Sequence, residues 1–145
     1  MRELMKNEET AVRMNEIRRI EINDLGVHGE GIGRVDGFTV FVPDSLPSEI
    51  VKAEITVVKK SYAKGKLLEI EKTSPYRTQP SCPVYENCGG CQISHLTYEG
   101  QLDVKYRRVR SVIERIAKEP GELVLPVLPA AHPFHYRNKM AVPAG

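Results

Sequence analysis

The sequence has no long apolar run, and that absence excludes a membrane-spanning helix. It also has no apolar core near its start. Residues Met1 to Asn15 mix acids and bases, so they fit neither a secretory leader nor a typical transit peptide and read as a flexible N-terminal tail, with Met14 a second candidate start. A large charge imbalance is missing too: the formal net charge is +2 over 145 residues, which by itself says little about partners. Cysteine is scarce, with three in the chain. An odd count and the lack of a leader argue against a disulfide framework. The length fits one domain, or one small domain with an appendage, and the expected location is the cytoplasm.

What is present is concentrated. All three cysteines fall within ten residues, Cys82, Cys88 and Cys91, with Gly89 and Gly90 between the last two. Thiolates are soft ligands, and a turn that aims several of them inward suits zinc or an iron–sulfur cluster. The paired glycines allow the tight turn and leave room for a bulky group. Three ligands are one short of a closed site. His95 would complete a C-x5-C-x2-C-x3-H array of Cys3His zinc type, whereas a cluster needs a fourth cysteine that this chain lacks.

Between residues 16 and 75 the pattern is of short strands and turns. Ile17 to Ile22 opens it, and Gly31–Val35 and Phe38–Val42 flank Asp36-Gly37, a strong signal for a two-residue type I′ hairpin. In the run Ile50 to Val58, Val51, Ala53, Ile55 and Val57 alternate with Lys52, Glu54 and Thr56, so one face is buried and the other wet. Lys66 to Glu71 supplies a last strand. Five short strands in this span predict a small closed or nearly closed barrel of the OB type, making the fold class mainly β. Gly29, Gly31 and Gly33 lead into a strand rather than a helix, which argues against a nucleotide-binding loop.

Two basic stretches stand out. Lys59, Lys60, Tyr62, Lys64 and Lys66 cluster at the expected bend between the last two strands, joining phosphate-seeking amines to an aromatic that can stack on a base. Tyr98 to Lys118 reads as a helix, with Leu102, Tyr106, Val109, Ile113 and Ile116 on one stripe, Thr97 as its cap and Pro120-Gly121 as its end. It carries six Lys and Arg against three acids, Arg107 and Arg108 among them, and these either solubilise the helix or meet nucleic acid. From Glu122 the chain looks like pieces of strand without partners, and the protein looks cut short.

Taken together, Gly31-Ile-Gly-Arg34, Phe41-Val-Pro43, Ser74-Pro75, the Cys82, Cys88, Cys91 pattern, His95, Tyr98, Gln101-Leu102, Lys105 and Tyr136-Arg-Asn-Lys139 resemble the N-terminal portion of the bacterial 23S ribosomal RNA (uracil-C5)-methyltransferases. The resemblance covers roughly residues 16 to 145. It implies a TRAM domain, an OB-like RNA-binding barrel, at 16–75, followed at 76–145 by the incomplete start of an α+β central domain with its helix at 98–118. It further implies a [4Fe–4S] cluster held by Cys82, Cys88 and Cys91, with a fourth ligand outside this chain and His95 not a ligand. Catalysis in the family belongs to an S-adenosylmethionine-binding domain in which a thiolate adds to uracil C6 and C5 takes the methyl group; none of its residues is in this chain, which is therefore expected to be inactive alone. Pro47-Ser48-Glu49 departs from the family's common Pro-Gly-Glu.

The expected protein is thus the RNA-binding and cluster-binding part of an rRNA methyltransferase. Its partner is RNA, most directly 23S rRNA, no membrane is involved, and the chain is a monomer. Arg34, Lys59, Lys60, Tyr62, Lys64, Lys66, Arg107 and Arg108 are the candidate RNA contacts. The alternative is a stand-alone RNA-binding module with a Cys3His zinc site completed by His95.

Overall fold

A computed structural model describes residues 11–139. The chain divides after Pro75 into two compact units. The first contains five strands, β1 (Ile17–Leu25), β2 (Gly31–Val35), β3 (Phe38–Val42), β4 (Ile50–Val58) and β5 (Tyr62–Lys72). They close into a barrel in the order β1-β2-β3-β5-β4. All pairings are antiparallel except β3 with β5, which run parallel and complete the ring. This is the small OB-like barrel that the strand count and spacing predict, and closure leaves no sheet edge bare.

Alternation explains which side chains fill the barrel. Ile20 and Ile22 of β1, Val40 and Val42 of β3, Val51, Ala53 and Ile55 of β4 and Ala63 of β5 are all buried. Their neighbours in sequence point outward, as the period of two requires. Gly31 and Gly33 sit on the inward register of β2. A Cβ at Gly33 would run into the backbone carbonyl of Glu21 and the side chain of Ile20, so glycine there permits close passage of β1 over β2. The Asp36-Gly37 turn has φ values of 50° and 81°, the positive pair that a type I′ hairpin needs.

Two boundaries differ from the sequence reading. Val12, within the expected tail, is fully buried in the barrel core. The chain ahead of β1 continues its pairing with β4: Asn15 N donates to Ile55 O and Ile55 N donates to Glu16 O, each at 2.8 Å. At the other end β5 begins at Tyr62 rather than Lys66, because Tyr62, Ala63 and Lys64 pair with Thr39, Val40 and Phe41 in the parallel closure. Only Lys59, Lys60 and Ser61 remain in the turn.

The loop from β3 to β4 folds inward on a buried carboxylate. Glu49 is fully buried, and its carboxylate accepts from Leu46 N (2.9 Å) and Ser74 N (3.2 Å). Ser45 donates its hydroxyl to Val42 O at 2.7 Å. Together these bonds satisfy polar groups that the interior would otherwise penalise.

The second unit holds a single-turn helix α1 (Tyr85–Cys88) and α2 (Tyr98–Val112). Thr97 caps α2 by accepting from Gly100 N at 3.2 Å. The expected helix to Lys118 changes character at Ile113. Residues Ile113–Ala117 form a π-helical turn, and Lys118, at φ 60°, closes it by donating its N–H to Ile113 O. Of the apolar stripe, Val109 and Ile116 are exposed. Beyond Leu123 no strand forms among the described residues, where Pro126, Pro129 and Pro133 withhold ladder donors. No helix of the described residues is long and apolar enough to cross a membrane.

Candidate nucleic-acid interface and cysteine loop

The strand register lays the basic and aromatic candidates of the barrel on one outer wall. Arg34 on β2 pairs with Thr39 on β3, which pairs with Tyr62 on β5. One row along, Ile32 pairs with Phe41, and Phe41 with Lys64. The inward partners of these rows, Gly33, Val40 and Ala63, are buried, so all six of the named side chains share the outer face. Phe41 and Tyr62 meet edge to face, with ring centroids 5.6 Å apart and planes at 80°. Lys66 continues the outward register of β5, and Lys59 and Lys60 stand exposed at its entry.

The charges of this wall differ from those elsewhere on the barrel in how they are matched. Arg18 pairs with Glu16 and Asp36, Arg19 with Glu71, and Lys52 with Glu69 and Glu71. Among the described residues, Arg34, Lys59, Lys60, Lys64 and Lys66 enter no such pair. Unmatched cations around half-buried aromatic rings on an outer face can attract phosphates while offering bases a stacking platform. The matched pairs tune each other instead: the hydrogen bond from Arg19 holds the Glu71 carboxyl below its ordinary 4.5, and that from Lys52 to Glu69 raises the Lys52 ammonium above 10.5.

Phe41 was not among the candidate contact residues read from the sequence. The signal was available, since an aromatic between two inward valines, Val40 and Val42, must face out. Arg107 and Arg108 lie on exposed α2 in the second unit, and Arg107 is partly matched by Asp103 at 2.9 Å. Arg110 is engaged similarly, with Glu114 at 3.0 Å and Glu122 at 3.6 Å.

The three cysteines are free and exposed. Gly89, at φ 66°, ends α1 just after Cys88 and turns the chain toward Cys91. The donor chemistry suits a soft metal or an iron–sulfur group, three thiols on one short segment. Their arrangement is incomplete, however. Among the described residues no three His, Cys, Asp or Glu side chains are grouped so as to hold a metal ion. His95 does not join them: it is 4% exposed, and its Nδ1 lies 2.7 Å from the Tyr85 hydroxyl. That placement gives the Cys3His reading no support.

With this geometry in view, comparison with known proteins is informative. Residues 12–68 match the TRAM domain, a span that takes in Val12 and most of β5. An RNA methyltransferase of Halalkalibacterium halodurans is 40% identical over 141 residues, covering 97% of this chain and 31% of that protein. One from Bacillus cereus is 45% identical over 134 residues, covering 92% of this chain and 29% of its own length. This chain therefore spans about 30% of the length of the curated relatives it matches. Among solved structures, the tRNA (uracil-54, C5)-methyltransferase of Pyrococcus abyssi is 26% identical over 66% of this chain and 21% of that one, with a TM-score of 0.44, too low to establish a shared arrangement.

Proposed function

We propose that this chain, which belongs to the TRAM-bearing RNA methyltransferase family and corresponds to its N-terminal portion, grips RNA through the outer wall of β2, β3 and β5. The observation that carries the reading is the set of unmatched cations around the Phe41 and Tyr62 pair. Lys59, Lys60, Lys64, Lys66 and Arg34 contact phosphates, and the two rings stack on unpaired bases. Arg107 and Arg108 add electrostatic attraction from the second unit.

The full-length enzyme, in this reading, methylates C5 of a uracil in 23S rRNA using S-adenosylmethionine, and its chemistry belongs to polypeptide other than these residues. Cys82, Cys88 and Cys91 supply three thiolates to a [4Fe–4S] cluster, with the fourth ligand from elsewhere in the full-length protein. Such a cluster, when bound, organises the loop or the RNA, because methyl transfer to uracil moves no net electrons.

The test is fluorescence anisotropy with labelled single-stranded fragments of 23S rRNA over a range of salt. Each lost phosphate contact lowers the slope of log K against log salt by about 0.7, so Lys64→Gln flattens it by one such step. Phe41→Ala weakens binding by about 1–3 kcal/mol. Unchanged affinity and slope in a variant with all four lysines of 59–66 replaced by glutamine would overturn the reading of this wall. For the chemistry, a full-length protein that methylates no rRNA uridine excludes the assigned reaction, and the same full-length protein, purified anaerobically and lacking iron and sulfide, excludes the cluster.

A further inference from the structure

Residues 79–94, which carry the three cysteines, leave and return to one closed base. Arg77 bridges Leu96, Thr78 N donates to His95 O at 2.9 Å, and Thr97 N donates to Tyr76 O at 2.8 Å. These bonds fix the two ends of the segment and do not reach its interior. Around α1 the hydrogen bonds are local: Tyr85 N to Cys82 O at 3.3 Å, Cys88 N to Val84 O at 2.9 Å, and Gln92 Nε2 to Gly89 O at 3.1 Å, while Gln101 Nε2 of α2 holds the far end of the segment by donating to Ile93 O at 3.4 Å. They shape the single turn α1, which has four residues and buries none of them. A helix of one turn does not persist on its own hydrogen bonds, because nucleation costs more than one turn returns.

Something must tie that turn to the base, and Tyr85 does so. Tyr85 is the first residue of α1, between Cys82 and Cys88, and its hydroxyl bonds Nδ1 of the buried His95, whose carbonyl is already part of the base. The rings are tilted by 42° with centroids 6.0 Å apart. The hydroxyl donates when Nδ1 is unprotonated and accepts when Nδ1 carries the proton, so either neutral tautomer sustains the bond.

We infer that the Tyr85–His95 hydrogen bond is the strut that holds the cysteine-bearing turn on its base, making Tyr85 and His95 positioning residues for Cys82 and Cys88. The strut acts in the metal-free chain; only its consequence for loading rests on the cluster reading.

The experiment is amide hydrogen exchange, read by mass spectrometry, on the reduced, metal-free 145-residue chain. Tyr85→Phe keeps the ring and removes the hydroxyl. Exchange in peptides spanning 82–92 should accelerate about three- to tenfold, the net worth of one hydrogen bond, while peptides of β4 keep their rates. His95→Asn, which retains a hydrogen-bonding atom near the place of Nδ1, should preserve much of the protection that His95→Leu loses. The double variant Tyr85→Phe/His95→Leu should exchange no faster than His95→Leu alone, because both changes remove the same bond. Unaltered exchange in Tyr85→Phe, or additive effects in the double variant, overturns the strut. A separate anaerobic reconstitution of the full-length protein counts iron and sulfide per chain, with less retained by Tyr85→Phe than by the unsubstituted protein. Should neither protein take up iron, the cluster reading fails and the exchange comparison still decides the strut.

Discussion

Val12→Ala tests whether the barrel begins before β1. Val12 is fully buried against the core formed by Ile20, Val40, Ile55 and their neighbours. Removing two carbons costs about 0.8 kcal/mol each in transfer free energy, or about 1.6 kcal/mol. Incomplete collapse of the site adds a cavity cost on the order of 1 kcal/mol, so the barrel should lose about 2–3 kcal/mol. For a domain of this size, that lowers the melting temperature by roughly 10–20 °C. The assay is urea unfolding followed by far-ultraviolet circular dichroism, with Met14→Ala as the control. Met14 is 58% exposed and should stay within about 0.5 kcal/mol of the parent. If Val12→Ala and Met14→Ala unfold at the same midpoint, residues 11–15 are a tail after all and the buried placement of Val12 is wrong.

Three further outcomes follow from the barrel. Ser48 adopts φ 72°, where a side chain is strained, so Ser48→Gly should stabilise the barrel by roughly 0.5–1 kcal/mol in the same urea assay; a loss of stability would refute the strain. Gly33→Ala drives a methyl into the Glu21 carbonyl and should cost about 1–3 kcal/mol, read as a fall in the unfolding midpoint. Glu71 should titrate below 4.5 in a carboxyl carbon NMR experiment and return toward it in Arg19→Gln. Because its folded value is depressed, the stability it contributes is present above pH 4.5 and disappears as pH falls through the folded value.

The barrel was legible because its signals are local. Alternation in Ile50–Val58 and the Asp36-Gly37 turn each decide a strand or hairpin within a few residues. Its limits were not, because they depend on distant partners. Nothing near Val12 announces a core residue, since the core cluster it joins is drawn from strands further along the chain. Likewise Tyr62 to Lys64 reads as a lysine-rich bend until β3 arrives in parallel to pair with it. The resemblance read from the sequence implies a glycine at position 48, and the positive φ of Ser48 is a conformation that glycine adopts without strain.

The same distinction between local and distant information governs the two candidate sites. The candidate RNA-binding wall is a product of register: Arg34 comes from β2 and Tyr62 and Lys64 from β5, and only the pairing of β2, β3 and β5 puts Phe41 in their midst. Cysteine spacing, by contrast, was fully visible in sequence, yet spacing alone could not say what His95 does. Its Nδ1 is engaged by the Tyr85 hydroxyl and its carbonyl by Thr78, inside a base that the cysteines do not enter. A residue so engaged would have to give up its Tyr85 bond, or expose a buried ring, before it could swing to a metal. The exposed thiols face no such cost. Under the proposed cluster reading, a fourth donor other than His95 would therefore disturb this unit less than recruitment of His95 would, and the inferred strut would hold the turn in either loading state.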